Sequence, residues 1–137
     1  MAGRTEAPNR ASYDVVIVGG AIMGASTAWF LSDDKDFDGR VLVVERDTSY
    51  QFCSTAHTNS CMRQQFSTEL NVRISQFAAD FVKNLRSYMG GDARVPALSI
   101  RAFGYMYLAD NEEFAEVLRR NQKVQLAAGA ATELLPP

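Results

Sequence analysis

A short apolar run that passes directly into a glycine-rich turn constrains the fold of this chain more than any other feature. Residues 14–18 read DVVIV and residues 19–24 read GGAIMG. Such a β-branched run is typical of a parallel strand that is buried on both faces. From Ile22 to about Ser32 the pattern becomes helical, and its small residues allow a helix to lie close to the sheet. The sequence therefore predicts a strand, a tight glycine turn and a helix in direct succession.

A second apolar strand, residues 41–45, follows a charged loop that ends in glycine. Strand, helix and strand together form a right-handed βαβ unit. Glu45 closes the second strand about 20 residues after Gly24, which is the spacing at which a carboxylate binds the ribose of a dinucleotide. The helix N-terminus, with its unpaired N–H groups and positive dipole end, suits a diphosphate. We therefore predict one half of an adenine-dinucleotide site.

The predicted site departs from the usual glycine motif at one position. Ala21 stands where the middle glycine belongs, and its methyl group narrows the approach to the diphosphate without blocking it. A carboxylate at position 45 also disfavours NADP, whose 2′-phosphate it would repel. Arg46 either stacks near the adenine or faces solvent. The predicted cofactor-binding residues in this part of the chain are Gly19, Gly20, Ala21, Ile22, Met23, Gly24, Glu45 and Arg46.

Composition and charge narrow the class of protein. The chain has 137 residues, a net charge of −2 and 22% charged residues, which gives no indication of nucleic acid or an anionic membrane as a partner. No apolar run approaches the roughly 18 residues of a transmembrane helix. Residues 1–13 are expected to be a disordered lead without a secretory signal, so we expect a cytoplasmic protein, or a mitochondrial matrix protein in a eukaryote. Cys53 and Cys61 are expected to be reduced thiols, and no metal site is expected.

A long polar loop and an amphipathic helix follow the second strand. The loop covers residues 46–67, and a loop of this length inside a domain is usually functional or disordered. Thr68 is a candidate N-cap. Apolar residues then recur at helical spacing from Leu70 to Tyr88, and Gly90 and Gly91 are expected to end the helix.

The last part of the chain predicts a different sheet and another helix. Residues 99–109 (SIRAFGYMYLA) indicate one or two strands of an antiparallel sheet, with Gly104 as a bulge or a point of close backbone approach. Asp110 and Glu113 predict a capping box for a helix of about residues 111–128, which Gly129 would stop. Residues 132–135 are expected to begin a further strand.

Three segments together resemble a known family: DVVIVGGAIMGASTAWFLS from residue 14, VLVVERD from residue 41 and CSTAHTNSCMRQQFST from residue 53. They are similar to FAD-dependent oxidoreductases of the D-amino acid oxidase superfamily, and among these to sarcosine oxidase and dimethylglycine dehydrogenase. The resemblance implies FAD as cofactor and oxidation of a C–N bond by hydride transfer to flavin N5. It also implies an FAD-binding domain interleaved with a substrate domain. Residues 14–97 are assigned to the former and residues 98–137 to the start of the latter.

The resemblance further implies roles for four residues of the long loop. Ser54 and Thr55 match a Ser/Thr pair that contacts the FAD phosphates and ribityl chain, with turn capping as the alternative. Arg63 matches an arginine that pairs with the substrate carboxylate, with a structural or FAD-side salt bridge as the alternative. Residues 54–57 (STAH) have the spacing of a segment whose histidine is bonded covalently to the flavin. The glycine that follows in that segment is absent here, so His57 is alternatively a polar loop residue near the flavin ring.

A small amine or amino acid is the substrate that the resemblance implies, and the implied electron acceptor is oxygen, an electron-transfer flavoprotein or a quinone. The alternative functions are an FAD-dependent 2-hydroxy-acid or glycerol-phosphate dehydrogenase, and a non-catalytic assembly factor or inactive fragment. The sequence identifies no catalytic residue. Because only two parallel strands are predicted, the α/β fold is expected to be incomplete. Residues 1–137 alone are therefore expected to bind FAD weakly or not at all.

Overall fold

The computed structural model of the protein describes residues 7–136. The first half of the predicted disordered lead, residues 1–6, lies outside these residues. The described chain divides into two compact units, one that ends at Ser60 and one that begins at Cys61. The first unit contains a parallel sheet with a helix, and the second is helical. The predicted α/β class, with a βαβ portion, is therefore confirmed.

The first unit is the predicted βαβ arrangement. It consists of strand β1 (Val15–Val18), helix α1 (Ile22–Asp33) and strand β2 (Val41–Val44). The two strands are parallel, and their register pairs Val15 with Val41 and Val18 with Val44. Because the register is continuous, the carboxyl ends of both strands lie side by side. The glycine turn leaves β1 at this end, and Glu45 follows β2 there.

The prediction that β1 and β2 are buried on both faces is wrong. Val16 and Val18 of β1 are exposed, the latter to 87%, and so are Val43 and Val44 of β2. The physical reason is that α1 covers only one side of the pair and that, within residues 7–136, the sheet has no third strand. The apolar sequence of β1 and β2 thus suits a larger sheet than the one that the described residues build.

Helices α2 (Glu69–Lys83), α3 (Leu85–Tyr88) and α4 (Glu112–Ala127) form the second unit. Thr68 is the N-cap of α2, as predicted. The expected continuous helix is interrupted at Asn84, whose side chain donates a 2.8 Å hydrogen bond to Asp80 and whose backbone leaves the helical conformation. Gly90 and Gly91 end the helical segment with left-handed backbone, φ 67° and 79°.

A small core joins the start of α2 to the end of α4. It consists of Val72, Ala128 and Ala130, with Phe66 packed against it. Gln125 is buried at 4% exposure and donates a 3.1 Å hydrogen bond to the backbone carbonyl of Phe66. Phe66, which precedes α2, is therefore held in place by the end of α4.

The strands predicted after α3 are not formed within residues 7–136. Residues 99–109 and 132–135 have neither strand nor helix. Aromatic and β-branched residues give a segment strand propensity, but a strand forms only where another strand offers its hydrogen bonds. The predicted capping box of Asp110 and Glu113 is wrong, because α4 begins one residue later and Phe114 then stands where the box requires Glu or Gln. The N-cap of α4 is Asn111, whose side-chain oxygen accepts a 2.8 Å hydrogen bond from the Phe114 N–H. Gly129 has φ 82° and ends α4, as predicted.

In the part of the chain that the structure describes, no helix has the length and apolar character needed to cross a membrane. Nor do His, Cys, Asp or Glu side chains of residues 7–136 gather into a group of three or more that would hold a metal ion.

Candidate cofactor site

The glycine turn after β1 depends on two glycines for different reasons. Gly19 has φ 98°, a conformation that residues with a side chain rarely adopt, and its N–H donates a 2.7 Å hydrogen bond to the carbonyl of Val44. Gly24 lies in the first turn of α1, where a Cβ atom would overlap the carbonyl oxygen of Gly19 and lie 3.1 Å from the Ile17 side chain. The helix therefore begins pressed against the turn.

The N-terminus of α1 faces outward from this turn. Its N-cap, Ala21, has no side-chain hydrogen bond to the helix, and Ile22 and Met23 are exposed. The Ile22 N–H lies 3.4 Å from the hydroxyl oxygen of Thr55. A helix N-terminus of this kind presents backbone donors and a positive dipole end to an anionic group.

Glu45 is bound to the turn by backbone hydrogen bonds. Its carboxylate accepts from the Gly20 N–H at 2.7 Å and from the Asp47 N–H at 2.8 Å. The hydrogen bond from Asp47, followed by that from Gly20, lowers the pKa of Glu45 below its ordinary value. The carboxylate is thus held in its charged form beside the glycine turn, and its contact with the ribose of a dinucleotide stays a prediction.

This pKa shift predicts how the turn responds to acid. Because the folded pKa of Glu45 is lowered, its stabilising contribution is fully present above the unfolded value of about 4.3 and is lost as the pH falls through the folded value. We therefore expect Glu45→Gln to lower the melting temperature at pH 7 and to have progressively less effect below about pH 4. Melting curves of both proteins from pH 7 to pH 3 provide the measurement. A difference in melting temperature that stays constant across this range would contradict the proposed charge of Glu45.

The loop after β2 brings one predicted residue to the turn. Successive backbone hydrogen bonds fold residues 47–57 into a run of tight turns, which places Thr55 at the N-terminus of α1. Ser54 is exposed, and its carbonyl accepts a 3.2 Å hydrogen bond from the backbone N–H of His57, which is also exposed. Arg46 is exposed as well. The cofactor contacts of Ser54, His57 and Arg46 stay predictions, as does a covalent bond to His57.

Two residues of this site were missed in the sequence. Asp47 fixes the loop through a 3.0 Å hydrogen bond from the Ser49 N–H to its carboxylate, and its own N–H donates to Glu45. The Asp-x-Ser pattern is a known turn signal that would have indicated this role. Tyr50 places its hydroxyl oxygen 3.0 Å from the position that a Cβ atom of Gly20 would occupy. No sequence pattern indicates that contact.

Arg63 lies in the second unit, close to two aromatic rings. Its guanidinium carbon is 5.2 Å from the ring centre of Phe66 and 5.9 Å from that of Tyr107. The Gln65 side chain donates a 3.0 Å hydrogen bond to the carbonyl of Tyr105, which ties the two segments together. Within residues 7–136, no carboxylate forms a salt bridge with Arg63. A cavity of about 260 Å³ is lined by Cys61, Met62, Arg63, Phe66, Ser75 and Ala78.

The strand, glycine turn, helix terminus and bound carboxylate have the arrangement that is typical of the adenosine half of a dinucleotide-binding site. Residues 14–137 match the family model described as DAO, FAD dependent oxidoreductase, and the chain belongs to this family. FAD is the cofactor of the family. The residues present fit it, because the turn has no room for a side chain at Gly24 and offers backbone donors beside a charged carboxylate.

Curated relatives agree with this assignment. The chain is 42% identical over 127 residues to "FAD-dependent oxidoreductase domain-containing protein 1" of Bos taurus. The aligned region covers 90% of this chain and 26% of the relative. The Xenopus laevis protein of that name is 39% identical over 134 residues, with 95% and 26% covered. The Drosophila melanogaster homolog is 41% identical over 123 residues, with 89% and 23% covered.

The chain thus spans about a quarter of the length of these relatives and holds only part of the family fold. This agrees with the exposed, two-stranded sheet of the described residues. No solved structure matches the chain.

Proposed function

We propose that the protein oxidises the C–N bond of a small amino acid or N-methylated amine that carries a carboxylate, with FAD as the hydride acceptor. The observation that carries this proposal is the state of Arg63. Its guanidinium lies over the rings of Phe66 and Tyr107 and forms no salt bridge with a carboxylate of residues 7–136, so that it is available to a carboxylate from outside this part of the chain. A planar guanidinium binds a carboxylate through two parallel hydrogen bonds.

Some residues of the chain would bind the cofactor, and Arg63 would bind the substrate. The turn and the N-terminus of α1 would hold the FAD diphosphate. Glu45 would bind the adenosine ribose, and Thr55 would lie beside the diphosphate. Arg63 would hold the substrate carboxylate and thereby orient the C–N bond. Bound FAD supplies the group that accepts the hydride. The electrons then pass to oxygen, an electron-transfer flavoprotein or a quinone, in the manner of sarcosine oxidase and dimethylglycine dehydrogenase.

A second candidate is an FAD-dependent dehydrogenase of a 2-hydroxy acid or of glycerol phosphate. The same observation supports it, because an arginine without an acidic partner binds a carboxylate or a phosphate of either substrate class. The two candidates differ in the bond that is oxidised, C–N in one and C–O in the other. A substrate comparison therefore separates them.

The test is anaerobic reduction of the flavin in the full-length protein. Reduction is measured as the loss of the flavin absorbance at about 450 nm. N-methylglycine, N,N-dimethylglycine, 2-hydroxyglutarate and glycerol 3-phosphate are compared, with methylamine as the control that lacks a carboxylate. We expect the N-methylated amino acids to reduce the flavin and methylamine to fail. Reduction by the hydroxy acid or glycerol 3-phosphate alone would support the second candidate, and reduction by none would favour a non-catalytic assembly role.

A further inference from the structure

Tyr50 has an unusual backbone for an aromatic residue. Its φ is 56°, in the left-handed region that favours glycine and asparagine. Two backbone hydrogen bonds hold it there: its N–H donates to Asp47 at 3.0 Å, and its carbonyl accepts from Cys53 at 3.2 Å. A left-handed backbone at a bulky residue persists where the surrounding structure requires it, and such positions cluster at binding sites.

The side chain of Tyr50 reaches the glycine turn with its hydroxyl end. Its hydroxyl oxygen is 3.0 Å from the Cβ position of Gly20, and the other neighbours of that position are Val43 at 3.4 Å and the Cβ atom of Glu45 at 3.5 Å. The same Gly20 donates its N–H to the Glu45 carboxylate. Tyr50, Gly20 and Glu45 therefore converge on one small region at the carboxyl ends of both strands.

The hydroxyl of Tyr50 is available for binding. It forms no hydrogen bond within residues 7–136, and the residue is 39% exposed. A purely structural contact with Gly20 needs the ring alone, because a glycine offers no polar side chain to a hydroxyl. A hydroxyl beside a ribose-binding carboxylate instead matches the hydrogen-bonding edge of an adenosine.

We propose that Tyr50 is a cofactor-binding residue, whose hydroxyl contacts the adenosine end of FAD beside Glu45. The proposal rests on FAD being bound at the glycine turn and is independent of which substrate the protein oxidises. On this proposal, the left-handed backbone of Tyr50 serves to direct the ring toward the turn.

The test compares Tyr50→Phe with the unaltered full-length protein after removal of FAD. The affinity for FAD is measured by quenching of flavin fluorescence, and that for ADP by competition with FAD. Since Tyr50→Phe keeps the ring and removes only the hydroxyl, we expect the affinity for both ligands to fall about threefold to tenfold, the effect of one hydrogen bond. Phe52→Leu is the matched control, because Phe52 belongs to the same loop and is 73% exposed.

Three results would overturn the proposal. The first is an unchanged affinity for FAD in Tyr50→Phe. The second is a weaker affinity for FAD with an unchanged affinity for ADP, which would place the contact away from the adenosine. The third is a melting temperature of the FAD-free variant that falls enough to explain the lost affinity, which would make Tyr50 a structural residue. An unchanged melting temperature with a parallel loss of FAD and ADP affinity supports it.

Discussion

Gly24→Ala is expected to abolish FAD binding and to lower the free energy of unfolding of the first unit by about 3 kcal/mol, the upper end of the usual cost of overpacking. The added Cβ would overlap the carbonyl oxygen of Gly19, and the nearest atoms beyond it are the Gly19 carbonyl carbon at 2.9 Å and the Ile17 side chain at 3.1 Å. Backbone atoms cannot rotate away as a flexible side chain does. The helix would therefore have to move off the turn, and its N-terminal donors with it.

Gly20→Ala is the matched control for this prediction. Its Cβ would meet the Tyr50 hydroxyl at 3.0 Å and side-chain atoms of Val43 and Glu45 at 3.4 and 3.5 Å. Since these are side chains that can shift by a few tenths of an ångström, Gly20→Ala should lower the melting temperature much less than Gly24→Ala does. The melting temperature of both purified proteins and the flavin content of Gly24→Ala are the measurements. Equal effects of the two substitutions would show that close packing at Gly24 is not what shapes the turn.

Arg63→Gln should raise the KM for a carboxylate-bearing substrate about a hundredfold, equivalent to about 2.7 kcal/mol of binding free energy. Glutamine removes both the charge and the two-pronged hydrogen bonding of the guanidinium. Arg63→Lys should give an intermediate KM, because it keeps the charge but loses the planar guanidinium that lies over the rings of Phe66 and Tyr107. Steady-state kinetics with the substrate found by flavin reduction provide the measurement.

Arg73→Gln serves as the control for Arg63. Arg73 lies on α2 in the same unit and forms an exposed salt bridge with Glu69, so its loss should leave KM unchanged. If Arg63→Gln lowers the melting temperature while KM stays the same, Arg63 is a structural residue and the carboxylate is held elsewhere.

Local patterns in the sequence predicted the first unit well. The apolar runs of β1 and β2, the glycine turn and the position of Glu45 depend on residues that are close in the chain, so spacing alone relates them. The helices α1, α2 and α4 were predicted for the same reason. The interruption at Asn84 was missed because one side chain competes there with an otherwise continuous helical pattern.

Sequence patterns did not predict the contacts between residues that are distant in the chain. Residues 99–109 have the composition of a strand, but whether they become one depends on a neighbouring strand that the segment itself does not specify. The aromatic surroundings of Arg63 include Tyr107 from a segment far along the chain. The approach of Tyr50 to Gly20 depends on a backbone conformation that tyrosine seldom adopts. Each depends on three-dimensional packing.

The exposed β1–β2 pair gives residues 7–136 an unprotected edge. Each strand has a single neighbour there, so its outer backbone groups face water, and little free energy is needed to open such a pair locally. A bound ligand stabilises a folded state by an amount that grows with the logarithm of its concentration above the dissociation constant. We therefore expect proteases to cleave this unit readily when residues 1–137 are expressed alone, and we expect excess FAD to slow that cleavage little, because this part of the fold should bind FAD weakly or not at all.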